Sequence, residues 1–94
     1  MLERTFEAKF ASRCEARGYH CLKLRIDGID GFPDRTVLTP DCGLLFIEFK
    51  QPGRKLRPQQ RLWRRMLTTL GFTYVVAHSC DEAERALDDY LNAR

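Results

Sequence analysis

Apolar residues at the start of the chain recur with the period of a helix and then with the period of a strand. The first 17 residues carry one at every fourth position: Leu2, Phe6, Phe10 and Cys14. This stripe predicts a helix over residues 2–17, and Gly18 is typical of a helix stop. From 19 to 26, apolar and polar residues alternate, which predicts a strand with two unlike faces.

The next part of the chain has the pattern of a strand pair. Residues 27–33 are rich in Gly, Asp and Pro and are predicted to form a loop. A second strand is expected over residues 34–39, and residues 40–43 have the composition of a turn. Residues 44–50 follow with apolar side chains on both faces, which is typical of a central strand. Two strands joined by so short a turn are expected to pair antiparallel.

Beyond residue 50 the pattern changes to helix, strand and helix. Pro58 is well placed at the first position of a helix that runs to about residue 70, with Gly71 as its stop. Its predicted buried face consists of Leu62, Trp63, Met66, Leu67 and Leu70. Residues 72–77 form a further apolar strand. The sequence from Ser79 to Glu82 is a capping box that opens a last helix, ending near residue 91.

The predicted element order is α-β-β-β-α-β-α, an α/β fold with a mixed four-stranded sheet flanked by helices. The β-α-β unit over residues 44–77 implies a parallel pair with a right-handed crossover. With 94 residues, 44% of them hydrophobic and 31% charged, the chain is expected to form one domain over residues 1–94. No apolar run approaches the length of a membrane span, so we expect an intracellular, cytoplasmic protein without a membrane partner.

The four cysteines are interpreted as reduced thiols. Their spacing lacks the C-x-x-C pattern of zinc and redox sites, and nothing marks the chain as secreted. His20 next to Cys21, and His78 near Cys80, could suggest zinc. Neighbours on a strand face opposite ways, however, so buried thiols and ordinary imidazoles are the better interpretation.

Basic residues are concentrated in the middle of the chain. Seven of them, and no acid, lie between residues 49 and 80, and twelve of the sixteen basic residues in the chain are arginines. The guanidinium fork suits phosphate contact, so an anionic polymer such as DNA is a natural partner. The backbone-binding candidates are Arg54, Lys55, Arg57, Arg61, Arg64 and Arg65. A simple solvated helix face is the alternative interpretation.

A charged pair interrupts the predicted central strand. Glu48 and Lys50 are two residues apart, so both side chains point to the same face of the sheet. A short hairpin can place Asp34, at the start of the preceding strand, beside Glu48. Two carboxylates suit a hard divalent cation such as Mg²⁺, and Lys50 could orient an attacking water or offset charge in the transition state. A structural salt bridge is the competing interpretation.

These residues carry a resemblance to a known family. Gly31-Phe32-Pro33-Asp34 followed by Glu48-Phe49-Lys50 resembles the PD-(D/E)xK nuclease superfamily, with its restriction-endonuclease-like core. Together with Gln60-Arg61-Leu62-Trp63, the sequence is similar to the small stand-alone form of the VRR-NUC family. The resemblance covers nearly the whole chain. It departs at Arg57, where many relatives have a Ser or Thr before the helix.

The resemblance implies roles for individual residues. Asp34 and Glu48 would hold Mg²⁺ or Mn²⁺, Lys50 would be the catalytic lysine, and Gln60 the family's glutamine near the active site, with Gln59 as its competitor. The family also has a glutamate on the first helix. That residue would be a further catalytic metal ligand. We favour Glu7 over Glu3 for it and rank Lys23, with Glu3, as a secondary candidate.

The resemblance also implies a function. We expect a Mg²⁺- or Mn²⁺-dependent DNA endonuclease, bacterial or phage-encoded, that acts as a homodimer on branched DNA such as Holliday junctions. A non-catalytic DNA-binding module with the same fold is the alternative. A third interpretation is a protein-interaction adaptor that uses the acidic last helix, although acids in a first turn also suit the helix dipole.

Overall fold

The computed structural model describes residues 3–94, with side chains described from Arg4 onward, so Leu2 of the predicted stripe lies outside the described residues. Its elements follow the predicted order: α1 (Glu3–Ala16), β1 (His20–Leu22), β2 (Arg35–Thr39), β3 (Gly43–Phe49), α2 (Pro58–Thr69), β4 (Thr73–Ala77) and α3 (Cys80–Asn92). No helix in this range is both long enough and apolar enough to cross a membrane.

The four strands form one mixed sheet in the order β1-β2-β3-β4. The β1–β2 and β2–β3 pairs are antiparallel, and β3 and β4 are parallel across the α2 crossover. The predicted mixed sheet is therefore confirmed, with β3 flanked on both sides. The tip of the β2–β3 hairpin holds Asp41 and Cys42, both with positive φ.

Helices α1 and α3 cover one face of the sheet, and the main core lies between them and the strands. Phe6 and Phe10 of α1 pack against Phe49, with ring centroids 5.9 and 5.7 Å apart. Leu87 contributes from α3. Ser79 caps α3 by accepting a hydrogen bond from the Glu82 amide at 3.0 Å, so the N-cap half of the predicted capping box is confirmed.

Helix α2 covers part of the opposite face, and its orientation differs from the prediction. Leu67 is buried as expected, but Leu62, Met66 and Leu70 are 39%, 37% and 73% exposed. The helix turns Gln60 inward instead, because this polar side chain has a partner in the sheet. Positions 60 and 67 are two turns apart, which sets the inward direction and leaves a flank of apolar side chains in solvent.

The first strand is shorter than the predicted residues 19–26. Pairing between β1 and β2 ends at Leu22 and Thr36, because β2 itself begins one residue earlier, at Arg35. Pro33 lies just before that point and has no N–H to extend the ladder. The alternating pattern beyond residue 22 therefore belongs to a loop, in which Leu24 and Ile26 are each 42% exposed.

Candidate active site

The β2–β3 hairpin brings two carboxylates together at one end of the sheet. Arg35 pairs with Ile47, so Asp34 lies next to Glu48 one step beyond the ladder. The Asp34 amide donates to Oε1 of Glu48 at 3.2 Å, and Oδ2 of Asp34 accepts from the Phe49 amide at 2.8 Å. Each carboxylate is thus tied to the opposite strand, as the hairpin argument predicts.

Glu48 is held by a buried amide from α2. Its side chain is almost inaccessible, with the residue 2% exposed, and Oε2 accepts from Nε2 of Gln60 at 2.9 Å. The other end of that amide, Oε1 of Gln60, accepts from the Arg57 backbone N–H at 2.8 Å. Because a carboxylate only accepts and an N–H only donates, these two contacts fix the amide orientation. Gln60, rather than the exposed Gln59, is the glutamine at the site.

The loop before Asp34 is pressed against the start of α2. Gly31 has a φ of +85°, and a Cβ at this position would come within 2.6 Å of the Gln59 backbone. Glycine is therefore required both for the left-handed conformation and for the close approach. The contact sets the distance between the loop that carries Asp34, directly before β2, and the helix that carries Gln60.

The Arg57 side chain, at the departure from the family pattern, does not cap α2. It reaches Asp30 instead, at 3.3 and 3.4 Å. The Gln60 side chain takes over part of the capping by accepting the Arg57 N–H. One glutamine therefore closes the helix start and holds the carboxylate.

The electrostatics of the pair favour an added cation. Among residues 4–94, neither Asp34 nor Glu48 has a cationic side chain within salt-bridge distance. Burial raises the pKa of Glu48 to about 8, the neighbouring Asp34 charge adds to the shift, and Lys50 opposes it. Two converging carboxylates with uncompensated charge are a donor set that fits Mg²⁺ or Mn²⁺.

Glu7 does not join these two carboxylates. It is buried on the α1 side of the sheet, where Oε1 accepts from Nε of Arg35 at 2.8 Å and lies 3.4 Å from Nζ of Lys23. Asp34 and Glu48 lie on the other face, toward α2. Within the described residues, no three His, Cys, Asp or Glu side chains are grouped closely enough to hold a metal ion. The Glu3 side chain lies outside the described residues.

Lys50 follows the end of β3 and opens onto a groove lined with basic side chains. A concavity of about 290 Å³ is lined by Lys50, Gln51, Arg54, Lys55 and Arg57. It adjoins a second, of about 320 Å³, whose lining includes Arg54, Lys55, Arg61, Arg64 and His78. We call the two together the basic groove. It leads from the catalytic-lysine candidate along the flank of α2.

One predicted backbone-binding residue lies outside the basic groove. Arg65 lines a separate depression of about 360 Å³ with Met66, Thr69 and Leu70. Successive helix residues are rotated by about 100°, so Arg64 and Arg65 project on different flanks. Arg61 and Arg65 are four residues apart and so lie on the same side of the helix, and the role of Arg65 in binding the DNA backbone stays a prediction.

Sequence comparison identifies the family. The model of the VRR-NUC domain matches residues 11–81, three quarters of the chain, including the hairpin, the basic groove and His78. The chain belongs to the VRR-NUC family. This VRR-NUC domain is also 33% identical over 79 residues to a protein of Acyrthosiphon pisum secondary endosymbiont phage 1 described as "Putative nuclease p44". The match covers 84% of this chain and 85% of the phage protein.

A solved structure agrees with the sequence match. A VRR_NUC domain superposes on this chain with a TM-score of 0.83 and 26% identity, covering 96% of this chain and 99% of the other. The restriction-endonuclease-like prediction for the fold is confirmed by this likeness. The protein is thus a nuclease-family domain with the element order found above.

Two polar residues near the VRR-NUC site, Tyr74 and His78, were not assigned to it from the sequence, and His78 was considered there only as a zinc ligand. The Tyr74 hydroxyl is buried without a hydrogen-bond partner, and burial plus the charges of Glu48 and Asp34 raise the pKa of Tyr74. His78 lines the basic groove. Both lie on the α2 face, because the side chains at 74 and 76 of β4, and at 78 directly after it, alternate with the core-facing ones. That alternation was the available signal. Because most residues of the strand are apolar, its α2-facing side was not recognised as part of the site.

Proposed function

We propose that this VRR-NUC domain is a metal-dependent endonuclease that hydrolyses DNA phosphodiester bonds, with Asp34 and Glu48 holding Mg²⁺ or Mn²⁺. The observation that carries the proposal is the uncompensated carboxylate pair of Asp34 and Glu48, two residues before Lys50, which itself lines the basic groove. A structural ion pair would place a cation on these carboxylates. Here the nearest hydrogen-bond donors are two backbone amides and the Gln60 amide.

Each group of residues has its own role in the proposed reaction. A divalent cation, when bound, supplies Lewis-acid chemistry to the phosphodiester and to an attacking water. Gln60 holds the Glu48 carboxylate in one orientation. The Lys50 ammonium, on the same face as Glu48, orients the water and offsets negative charge that builds on the phosphate. The arginines of the basic groove bind the DNA backbone on either side of the scissile phosphate.

Glu7 has a different role in this proposal from the one predicted. Its carboxylate is already satisfied by Arg35 and Lys23, on the other side of the sheet. It therefore anchors α1 to the start of β2, one residue after Asp34. The metal is held by the two carboxylates of the hairpin.

We extend the proposal to branched DNA and to a homodimer. A groove that offers guanidinium groups rather than a helix or ribbon for the major groove favours recognition of backbone shape over base sequence. One chain presents one carboxylate pair. Symmetrical cutting of two strands at a four-way junction therefore requires two copies related by a two-fold axis.

The test is cleavage of labelled four-way-junction, flap and linear duplex DNA with Mg²⁺ or Mn²⁺. Binding is recorded in parallel for wild type, Lys50→Ala, Asp34→Asn and the control Arg85→Ala, which removes an exposed arginine of α3 outside the groove lining. We expect metal-dependent junction cutting by wild type and Arg85→Ala, and none by the other two variants. The expected stoichiometry is two chains per junction.

Other outcomes separate the alternatives. Junction binding that weakens steeply with salt, without cutting under either metal, would leave a DNA-binding module that lacks the chemistry. Absence of both binding and cutting would favour the adaptor interpretation. Cutting of linear duplex at the same rate as the junction would retain the endonuclease and contradict the structure preference.

A further inference from the structure

Both hydrogen-bonding groups of the Lys50 main chain, the N–H and the carbonyl, are bonded to residues at the end of β4. Its N–H donates to the Ala77 carbonyl at 3.0 Å, and its own carbonyl accepts from Nδ1 of His78 at 3.1 Å. Lys50 follows the last residue of β3, and a turn begins directly after it, with the Arg54 amide bonded to the Gln51 carbonyl. The side-chain bond from His78 therefore continues the strand pairing by one residue beyond the sheet.

The contact defines the state of the imidazole. A carbonyl oxygen only accepts, so Nδ1 carries a proton in this arrangement. The ring is half-buried and forms part of the basic groove wall, together with Arg54, Arg61 and Arg64.

We infer that His78 is a positioning residue that fixes the backbone from which the Lys50 side chain extends. The inference rests on the proposed function, in which Lys50 acts at the scissile phosphate. Lys50 lies where the sheet ends and the Pro52-Gly53 turn begins, three residues beyond Ile47, the last β3 residue that is paired with β2. Displacement of a catalytic group by about 1 Å can lower a rate on the order of 100-fold.

The structure allows a test with two variants of opposite design. In His78→Asn the amide nitrogen lies near the place of Nδ1 and can still donate to the Lys50 carbonyl. In His78→Gln the longer side chain takes its polar atoms toward the place of Nε2 and leaves the carbonyl without its donor. Each variant places an uncharged polar side chain at the groove wall.

We expect His78→Asn to keep kcat within about threefold of wild type. His78→Gln should lower kcat by about 10- to 100-fold, with KM for the cleaved DNA nearly unchanged. Equal kcat in wild type and His78→Gln would overturn the inference, as would an equal loss in both variants. A change confined to KM would also overturn it, because His78 would then act on the DNA itself.

A second measurement does not depend on cleavage. Nitrogen NMR of the metal-free protein should find the His78 proton on Nδ1, and the Lys50 amide should exchange faster in His78→Gln than in His78→Asn. A proton on Nε2, or equal exchange rates, would contradict the positioning role. If the wild type cleaves no DNA at all, the proposed function fails, while the NMR comparison still decides whether His78 holds the Lys50 backbone.

Discussion

Glu7 and Glu48 are both buried, with 6% and 2% of each residue exposed, yet their surroundings are opposite. Glu7 has two cationic partners, Arg35 and Lys23, on the α1 side of the sheet. Glu48 faces α2, beside a second carboxylate and without a cation in contact among the described residues. The charge of Glu7 is therefore balanced within the fold, whereas a charged Glu48 has no such partner and would be stabilised by an added cation.

The largest expected effect is on cleavage and metal binding. Glu48→Gln removes the charge and leaves one acceptor oxygen in place of two, so cleavage should fall at least about 100-fold and Mn²⁺ binding should be lost. Glu7→Gln should retain Mn²⁺ binding. Calorimetric titration of both variants checks this directly, and loss of binding in Glu7→Gln would show that the two glutamates share one metal site.

The second effect is a dependence of stability on pH in the metal-free protein. The folded protein holds the Glu48 proton up to a pKa of about 8, whereas the unfolded chain releases it near 4.5. The stabilising contribution is therefore complete below pH 4.5 and is lost as pH rises to about 8, by at most about 1.4 kcal/mol per pH unit.

The measurement compares the free energy of unfolding of wild type and Glu48→Gln by urea denaturation in a chelator. The free energy of unfolding of the wild type should fall relative to that of Glu48→Gln as the pH rises from 5 to 8, since glutamine does not titrate. Mg²⁺ should restore the wild type at pH 8. A difference that stays constant across this range would contradict the raised pKa.

The third effect is on the stability of the fold, through the buried ion pair of Glu7 and Arg35. Glu7→Gln leaves Arg35, whose side chain is 17% exposed, without a counter-charge. The free energy of unfolding should fall by roughly 2–3 kcal/mol. Glu15→Gln, an exposed acid on the same helix, is the matched control and should be nearly neutral. Equal effects from the two substitutions would mean that the buried pair contributes nothing specific.

The fourth effect separates backbone strain from close packing at the Glu48 side. Gly28 and Gly31 have similar φ values, +79° and +85°, but a Cβ at Gly28 meets nothing within 4 Å. Gly28→Ala should cost about 1–2 kcal/mol from the left-handed conformation alone. Gly31→Ala should cost more and should also lower cleavage, because it moves Asp34 relative to Gln60. Thermal unfolding and cleavage rates of both variants test this.

The smallest effect is expected at Lys23, whose side chain is 47% exposed at 3.4 Å from Glu7. Lys23→Ala should lower the free energy of unfolding by less than about 1 kcal/mol, and added salt should reduce the difference. Arg25→Ala, an exposed cation in the same loop, is the control. A loss as large as that of Glu7→Gln would show that Lys23, not Arg35, is the main partner.

The sequence predicts the hairpin site well because its geometry is local. The period-two pattern and the turn over residues 40–43 fix which side chains of β2 and β3 are neighbours, and the Asp34–Glu48 contact follows from that register. The element order was predictable for the same reason. The VRR-NUC resemblance assigned roles to residues that the hairpin had already brought together.

The errors occur at side chains whose contacts are with residues far away in the sequence. The prediction from hydrophobicity alone placed Leu62 and Met66 on the buried face of α2. Burial of Gln60 is favourable because Glu48 accepts its hydrogen bond, and the sequence pattern of α2 does not show that contact. Glu7 was expected to join Asp34 and Glu48, and the sequence could not indicate its contact with Arg35, because that contact depends on how α1 crosses the sheet. The length of β1 depended on where its partner strand begins.

The hairpin tip has a practical consequence for studying the protein. Of the four free cysteines, Cys42 is exposed and the other three are buried. It precedes β3, and Glu48 lies five residues along that strand from Gly43, roughly 17 Å away. A maleimide dye should therefore attach at the tip of the native sequence, distant from the carboxylates, and report DNA arrival by fluorescence without an engineered thiol.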